Sequence, residues 1–326
     1  MKGKLHSEPE TFRDLVQTTS EDLNIPVQLI EKDYHISAVL RALSKSSHHQ
    51  QIVFKGGTSL SKAYQLINRF SEDVDFAVIS GQMRGNQVKK LLSHLMKEVT
   101  ADLTEDKEFP DMSKGSKYRK QAFFYDAQTG LDAAVNPVPA RIIVEISAFA
   151  NPFPYEKRMI EPFVTTFLKK RGMDDFVTQY HLESFELNVL SPGQTLCEKT
   201  VSLIRFSMSD DPITSLSSKI RHFYDLDALL STKDLQDYVH SKAFADDMEA
   251  LLKHDRQAFD EPGGWKELED LNQSPLMRDF DNLWKSLAPK YEENLSVIAY
   301  REIPSSDAVK TSFLKILNAL HDIDFK

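Results

Sequence analysis

The spacing of hydrophobic residues changes along the chain and predicts a mixed first part followed by a helical second part. In the first part, apolar residues three or four positions apart indicate helices, whereas alternating or short continuous apolar runs indicate strands. Helices are expected at Pro9–Asn24, Val27–Ser44 and Gln87–Leu103, and strands at Lys117–Asp126, Arg141–Ala148, Val164–Leu168 and Glu186–Val189. Two polar stretches, Thr104–Ser116 and the one with Pro152, Pro154 and Pro162, are expected to be loops.

The hydrophobic pattern becomes helical after Ser191-Pro192-Gly193, which is therefore the expected domain boundary. Helices are predicted at Gln194–Met208, Leu216–Leu230, Val239–Leu252, Trp265–Leu271, Met277–Lys290 and Ala308–Leu320. These elements predict an α/β (α+β) fold, with a core and N-terminal helices in residues 1–190 and a mostly helical domain in residues 191–326.

Composition narrows the class of protein. The chain has 326 residues, a net charge of −9 and one cysteine, Cys197, so an intramolecular disulfide is excluded and a reducing, cytoplasmic location is expected. It has no apolar run of about 20 residues and no signal peptide, so no membrane association is expected. Much of the acidity lies in residues 233–270, which contain eleven acidic and five basic residues.

Three charged clusters have both an ordinary and a functional interpretation. The basic runs Lys114–Lys120 and Lys169–Arg171 are either solvated or bind phosphates, and the solvated interpretation is preferred. The cluster Glu31–Asp33 occupies one turn of the second predicted helix and is expected to be a surface ion cluster.

The stretch Ile52–Ile79 combines a short strand, a Gly-Gly turn, a short helix and a second strand in IVFKGGTSLSKAYQLINRFSEDVDFAVI. Gly56 and Gly57 permit a sharp turn and close approach of a ligand, because neither has a Cβ atom. Thr58 and Ser59 are suitable N-cap residues for the following helix. Since a helix N-terminus presents N–H groups and a positive dipole end, this turn predicts a phosphate site.

Asp73 and Asp75 alternate with Val74 and Phe76, so both carboxylates are expected on one face of a strand. Two like charges on one face repel each other unless a cation lies between them, and hard carboxylate oxygens suit Mg²⁺. A phosphate turn beside paired metal carboxylates predicts nucleotide chemistry.

Glu145 is a single carboxylate in the apolar strand RIIVEISA and should have a partner, because an isolated buried charge is costly. It either forms an ion pair with Lys or Arg, or it completes a metal site with Asp73 and Asp75. A two-metal site needs a third carboxylate, and Glu145 is the well-placed candidate.

Together these residues fit a minimal nucleotidyl-transfer site with two Mg²⁺ ions at Asp73 and Asp75. The triphosphate of an NTP is expected at the turn formed by Lys55, Gly56, Gly57, Thr58 and Ser59. Other sites are excluded, since the spacings of a P-loop, a dinucleotide-binding loop, a zinc site and a nucleophile elbow are absent.

KGGTSLSKAY (55–64) and RFSEDVDF (69–76) resemble the first two motifs of the AbiEii/AbiGii-type, MenT-like nucleotidyltransferase toxins of type IV toxin–antitoxin systems. EKTVSLIR (198–205) and RHFYDLDALL (221–230) are similar to two later motifs, and EKDYHISAVLRAL (31–43) to the N-terminal helix of that family. The resemblance covers about residues 30–230.

The resemblance implies a DNA polymerase β-like core with a mixed sheet, and a C-terminal helical domain that closes the nucleotide cleft. It assigns Lys199 to the triphosphate and makes Asp225 a required residue that holds Lys199, Arg221 or substrate, with Asp227 as its rival. Periodicity alone leaves Lys199 and Asp225 as exposed residues.

The resemblance also implies a Mg²⁺-dependent toxin that transfers NMP from an NTP to RNA, with the tRNA 3′ end as expected acceptor, and so inhibits translation. A separately encoded antitoxin is the implied partner. The alternatives are transfer to a protein hydroxyl or a small molecule, and an NTP-binding module without turnover.

Overall fold

The computed structural model describes residues 3–71, 73–129 and 139–323, so Glu72 of the second motif lies outside the described residues. Contacts between Cα atoms divide the chain into two compact units. The first unit contains Met1–Gln65 and Phe70–Leu190, and the second contains Leu66–Arg69 and Ser191–Lys326. The short segment Leu66–Arg69 thus belongs to the second unit, although the residues on both sides of it belong to the first.

The first unit is a mixed α/β structure, as predicted. Its elements are α1 (Pro9–Leu23), α2 (Val27–Lys45), β1 (Ile52–Lys55), α3 (Gly56–Lys62), β2 (Asp73–Val78), α4 (Gly85–Val99), β3 (Thr104–Glu105), β4 (Ser113–Lys114), β5 (Tyr118–Phe124), β6 (Arg141–Ser147), β7 (Tyr155–Ile160), α5 (Phe163–Lys170), α6 (Asp174–Gln179) and β8 (Phe185–Leu190). The long periodic helices α1, α2 and α4 lie within a few residues of their predicted bounds.

The strands form one mixed sheet in the order β3-β5-β6-β2-β1-β8-β7, with β4 paired to β5. Two neighbouring pairs, β2 with β6 and β1 with β8, are parallel, and the other pairs are antiparallel. The central strand β2 therefore has β1 on one side and β6 on the other. The predicted mixed sheet is confirmed.

The two faces of the sheet differ in chemistry. One face supplies Phe54, Val74, Phe76 and Val144 to a hydrophobic core that also contains the apolar side chains of α2 and α4. Because successive residues of a strand point to opposite faces, Lys55, Asp73, Asp75 and Glu145 are left on the other face. The alternation in β2 therefore places Val74 and Phe76 in this core and leaves the carboxylates of Asp73 and Asp75 on the opposite face of the sheet.

Three secondary-structure predictions in the first unit are wrong, and one of them is the expected loop Thr104–Ser116, which contains the short strands β3 and β4. Val164–Leu168 is part of helix α5, where the buried residues Val164, Phe167 and Leu168 follow helical spacing and Pro162 precedes the first turn. Its β-branched residues favoured a strand, but the helical packing of the apolar face decided the structure. The proline-containing stretch after Ala148 is not only a loop, because it includes β7, an edge strand where the flanking prolines are tolerated.

The cluster Glu31–Asp33 is buried rather than on the surface, with exposed fractions of 1%, 0% and 3% for its three residues. Each charge has a partner from a distant part of the chain. Nζ of Lys32 donates to the carbonyl of Pro139 at 3.0 Å, and Asp33 accepts from Nζ of Lys62 at 2.6 Å. The surface prediction failed because a charge pattern cannot reveal partners that the fold brings in from other elements.

The second unit is helical. Its helices are α7 (Pro192–Ser207), α8 (Pro212–Ser218), α9 (Arg221–Leu229), α10 (Lys233–Val239), α11 (Lys242–Ala258), α12 (Pro275–Arg278), α13 (Phe280–Ile298) and α14 (Ser306–His321). Part of its core is aromatic, with the ring of Phe223 against those of Phe280, Trp284 and Phe313 at centroid distances of 6.1, 5.1 and 4.9 Å. No helix in the described ranges is both long and apolar enough to cross a bilayer.

Several helix bounds in the second unit differ from prediction. The predicted helix Leu216–Leu230 is two helices, α8 and α9, which are separated at Lys219 and Ile220. Trp265–Leu271 is not helical, and only Leu271–Gln273 forms a short 3-10 turn. Helix α13 continues through Pro289 to Ile298, well past the predicted end at Lys290. Buried Tyr291 and Leu295 extend its apolar face beyond the proline.

Candidate active site

The Gly-Gly turn leads from β1 directly into α3, which begins at Gly56 with Lys55 in extended conformation at the N-cap. Thr58 and Ser59 are therefore inside the first turns of the helix, and their prediction as N-cap residues is wrong. Both side chains are buried, and their hydroxyls donate to backbone carbonyls, Thr58 to Asp73 and Ser59 to Gly56. In this arrangement the two hydroxyl protons hold the turn together, and Thr58 ties it to β2.

Gly56 is the point where the turn and the aspartate strand meet. Its φ of +78° lies in the left-handed region, and a Cβ atom placed there would be 2.1 Å from Oδ2 of Asp75. The absence of a Cβ atom at Gly56 makes room for the carboxylate of Asp75, and close approach of a ligand to this turn remains a prediction. Gly57 follows as a buried residue of α3.

Four charged residues lie side by side across four neighbouring strands. The sheet register pairs Lys55 with Asp75, Asp75 with Glu145, and Glu145 with Lys120. We call these residues the charged row. Neighbouring strands are about 4.8 Å apart, so the side chains of a row on one face are direct neighbours. The row places two carboxylates between two cations, and Asp73 lies one pleat along β2 on the same face.

Glu145 has the sheet position considered for a metal ligand and also the ion pair considered as its alternative. Its position opposite Asp75 in the parallel β2–β6 pair is that expected of a third metal carboxylate. It also forms the ion pair that was the alternative, since Oε1 is 2.8 Å from Nζ of Lys120 and Oε2 accepts from the hydroxyl of Tyr118 at 2.8 Å. Its role as a metal ligand remains a prediction.

The carboxylates change the titration of the groups around them. Burial raises the pKa of the Tyr118 hydroxyl, and Glu145, Asp75 and Asp73 raise it further. For Lys120, burial acts to lower the pKa of the ammonium, but Glu145 and Asp73 outweigh it and raise the pKa. The carboxylates therefore dominate the electrostatics around Tyr118 and Lys120, which favours a cation at this position.

The carboxylates fit a divalent metal ion in their donor chemistry, because Asp73 and Asp75 offer hard oxygen ligands on one face next to the α3 turn. Among residues 3–71, 73–129 and 139–323, however, no three His, Cys, Asp or Glu side chains converge as a metal-binding group. The residue that could complete such a group, Glu145, is directed to Lys120 and Tyr118.

Lys199 and Asp225, which the family resemblance assigned to the nucleotide site, contact each other within the second unit. Nζ of Lys199 is 2.7 Å from Oδ2 of Asp225. Arg69 is a third member that sequence reasoning missed, and its guanidinium makes two bonds of 2.7 and 2.6 Å to the same carboxylate. Exposed fractions of 6% for Lys199, 0% for Asp225 and 3% for Arg69 show that this buried triad is shielded from water.

The two cations keep Asp225 ionised. Burial acts to raise the pKa of this carboxyl, but Arg69 and then Lys199 outweigh it and hold the pKa well below its ordinary range. Asp227, the rival two positions on, accepts from the hydroxyl of Ser312 at 2.6 Å instead. Of the three groups expected to be held by Asp225, the structure shows Lys199, and Arg69 is added from the segment Leu66–Arg69.

That segment is attached to the second unit by its backbone as well. The N–H of Asn68 donates to the hydroxyl of Tyr224 at 3.0 Å, and the N–H of Tyr300 donates to the carbonyl of Asn68 at 3.0 Å. Arg69 also forms a β-bridge with Ala299. Arg69 is the first residue of the RFSEDVDF motif, so a signal for it was present, but its partner lies more than 150 residues away.

The two basic runs form ion pairs within the first unit. Lys114 pairs with Glu105 at 2.7 Å, and Lys120 belongs to the charged row. In the other run, Lys170 and Arg171 both contact Asp22, at 2.8 and 3.1 Å. These four basic side chains are therefore engaged with carboxylates of the first unit, a pairing that the sequence did not predict.

Comparison with known proteins identifies the group to which the chain belongs. Residues 38–311 match the sequence profile of a family described as "Nucleotidyl transferase AbiEii toxin, Type IV TA system". The chain belongs to this family. It is accordingly a nucleotidyltransferase of the AbiEii toxin type, and membership implies an NTP substrate and a separate antitoxin. Nucleotidyltransferases generally also use a divalent metal ion.

The fold agrees with this assignment. The structure is similar to MenT4, the nucleotidyltransferase toxin Rv2826c from Mycobacterium tuberculosis H37Rv, with a TM-score of 0.54 over 96% of this chain and 90% of that one. The two sequences are 16% identical, so the likeness shows a shared fold. No curated protein matches the sequence.

Proposed function

We propose that this AbiEii-family protein is a cytoplasmic, Mg²⁺-dependent toxin that transfers NMP from an NTP to RNA, with the tRNA 3′ end as acceptor, and thereby inhibits translation. The observation that carries the proposal is the position of Asp75. Its carboxylate lies against the backbone of Gly56 and beside Glu145 in the sheet register, with Asp73 on the same face. Phosphate-binding backbone and metal-binding carboxylates are the two parts that nucleotidyl transfer requires.

Asp73 and Asp75 are the residues that would hold two Mg²⁺ ions, with Glu145 as the third ligand. Bound there, the metal would supply charge neutralisation at the α-phosphate and a more nucleophilic acceptor hydroxyl. The Lys55–Ser59 turn would orient the triphosphate through backbone N–H groups, because the hydroxyls of Thr58 and Ser59 are engaged with carbonyls.

Lys199 is proposed to bind the β- and γ-phosphates as a point charge, and Asp225 with Arg69 fixes its ammonium. In the transfer, the acceptor hydroxyl gives up its proton to solvent and its oxygen forms a bond to the α-phosphorus, while the bond between this phosphorus and the bridging oxygen to the β-phosphate breaks. Pyrophosphate leaves with the negative charge that Lys199 stabilises.

Transfer can be tested by incubating the protein with Mg²⁺, each labelled NTP in turn, and total RNA. We expect label in tRNA with the parent protein and none with Asp75→Asn, which keeps the side-chain shape but removes the charge. The matched control is Asp175→Asn, because Asp175 is an exposed aspartate of α6 in the same unit. It should retain labelling.

The other outcomes identify other activities. Asp75-dependent label in protein or in a small molecule would replace RNA with that acceptor and leave the nucleotidyl-transfer chemistry in place. Absence of label from every NTP in every fraction would contradict turnover and favour an NTP-binding module.

A further inference from the structure

Lys120 is a cation within the carboxylate face of the sheet that the proposed reaction does not use. Its ammonium is 2.8 Å from Oε1 of Glu145, and the two side chains are 24% and 22% exposed. The partner strand β5 places it directly opposite Glu145, so contact follows from the sheet register and not from a flexible surface encounter.

The other oxygen of Glu145 is also occupied, by the hydroxyl of Tyr118, which lies two residues before Lys120 on the same face of β5. Glu145 therefore has both oxygens bound toward β5, while its neighbour on the other side is Asp75. This explains why the carboxylates of Asp73, Asp75 and Glu145 share one face without converging as a three-ligand metal group in the described residues.

We propose that Lys120 is a built-in counterion that competes with a divalent metal ion for Glu145. Without metal, its ammonium compensates the carboxylate beside Asp75 and holds it toward β5. With metal, Glu145 must exchange the ammonium for the metal ion, so Lys120 raises the metal concentration at which the three-carboxylate site fills. The inference rests on the proposed function, because it takes Glu145 as the third metal ligand.

The competition is tested by metal binding to the full-length protein without NTP, followed as the thermal shift during Mg²⁺ and Mn²⁺ titrations. Lys120→Met should lower the half-saturating metal concentration by about three- to fivefold, because a partly exposed competing cation has been removed. The matched control is Lys114→Met, which removes an equal charge from a neighbouring ion pair with Glu105 and should leave the titration unchanged. An unchanged or higher half-saturating concentration in Lys120→Met would overturn the proposal.

A double-mutant cycle gives the decisive comparison. In a Glu145→Gln background, adding Lys120→Met should no longer change the half-saturating metal concentration. The reason is that the carboxylate for which the Lys120 ammonium and the metal ion compete is gone. Lys120→Gln, which removes the charge but keeps a side-chain N–H that can donate to Glu145, replaces Lys120→Met in the cycle if Lys120→Met folds poorly. Equal effects of Lys120→Met with and without Glu145 would overturn competition at this residue.

The outcome is separable from that of the proposed function. Metal titrations that follow the prediction, together with unlabelled RNA, would support the counterion and contradict RNA transfer. Labelled RNA, together with a metal titration that Lys120→Met does not change, would support RNA transfer and contradict the counterion proposal. A parent protein whose thermal shift equals that of Asp75→Asn at every metal concentration would overturn the counterion, since no metal would then compete at this face.

Discussion

The charged row and the buried triad both balance carboxylates with cations, but they do so in opposite environments. In the row, Lys120 and Glu145 keep about a quarter of their surface in water, whereas Asp225 of the triad is fully buried with its two cations. Ions near water can exchange partners at little cost, and ions buried together cannot lose one member without leaving an uncompensated charge. The row is thus suited to exchanging ligands, and the triad to holding the Lys199 ammonium in one position.

The largest effect is expected for Asp225→Asn, which would leave Arg69 and Lys199 buried without their shared carboxylate. We expect the free energy of unfolding to fall by about 3–5 kcal/mol, measured by urea denaturation. The control is Asp227→Asn on the same helix, which removes one charge but keeps the oxygen that accepts from Ser312, and should cost about 1 kcal/mol or less. Equal losses of stability in the two variants would contradict a special structural role for Asp225 in the buried triad.

The pH dependence sharpens this result. Because the pKa of Asp225 is held below its ordinary value, its contribution is fully present above the unfolded pKa of about 4 and is lost as pH falls through the folded pKa. The difference in stability between the parent protein and Asp225→Asn should therefore be constant from about pH 7 to pH 5 and shrink below about pH 4. A difference that shrinks already near neutral pH would contradict the lowered pKa.

The pair Asp33–Lys62 tests whether burial, and not membership of the second unit, makes an ion pair structural. Both side chains are at most 5% exposed, and Asp33 also accepts from the N–H of Phe163 at 2.9 Å. Lys62→Met should lower the free energy of unfolding by about 3 kcal/mol, and Asp33→Asn combined with Lys62→Met should lower it by less, because no buried charge is left unpaired. Thermal or urea denaturation of Lys62→Met, Asp33→Asn and the double variant measures this coupling, and strictly additive losses would contradict it.

Gly56→Ala should have an intermediate effect on stability and a large one on transfer. Its backbone strain is expected to cost about 1–2 kcal/mol, and its Cβ would additionally displace the carboxylate of Asp75. Gly81→Ala is the matched control, because Gly81 also has a positive φ, of +47°, but no atom within 4 Å of the added Cβ. Urea denaturation should show strain in both variants, whereas RNA labelling should be lost only in Gly56→Ala. Retained labelling in Gly56→Ala would show that the position of Asp75 is not critical.

The sequence predicted the parts of the site that are local. Gly56 and Asp75 belong to one strand-turn-helix-strand segment, so alternation and the need for glycine were sufficient to place them together. The partners of Glu145 were left open, because Lys120 reaches it only through the register of β5 against β6. Lys199 and Asp225 depended on the family resemblance, since their helical periodicity alone indicated exposed positions.

What the sequence missed came from contacts between distant segments. Arg69 follows the short α3, and nothing in its neighbours indicates that Asp225 will bind it. Glu31–Asp33 was predicted on the surface because three adjacent charges usually are, yet each has a buried partner. Val164–Leu168 shows the same limit at short range, where strand-favouring residues form a helix because packing selected the helical apolar face.

Asp75→Asn should have the smallest effect on stability. It tests whether the partly exposed charged row serves the reaction, in contrast to the buried triad that stabilises the fold. Its removal from the partly exposed row is expected to change the free energy of unfolding by less than about 1 kcal/mol. The most direct test of the account is therefore to measure urea denaturation and NTP-dependent labelling of RNA on the same preparation of this variant. The account predicts parent-like unfolding with labelling abolished, and labelling retained by a folded Asp75→Asn protein would contradict it.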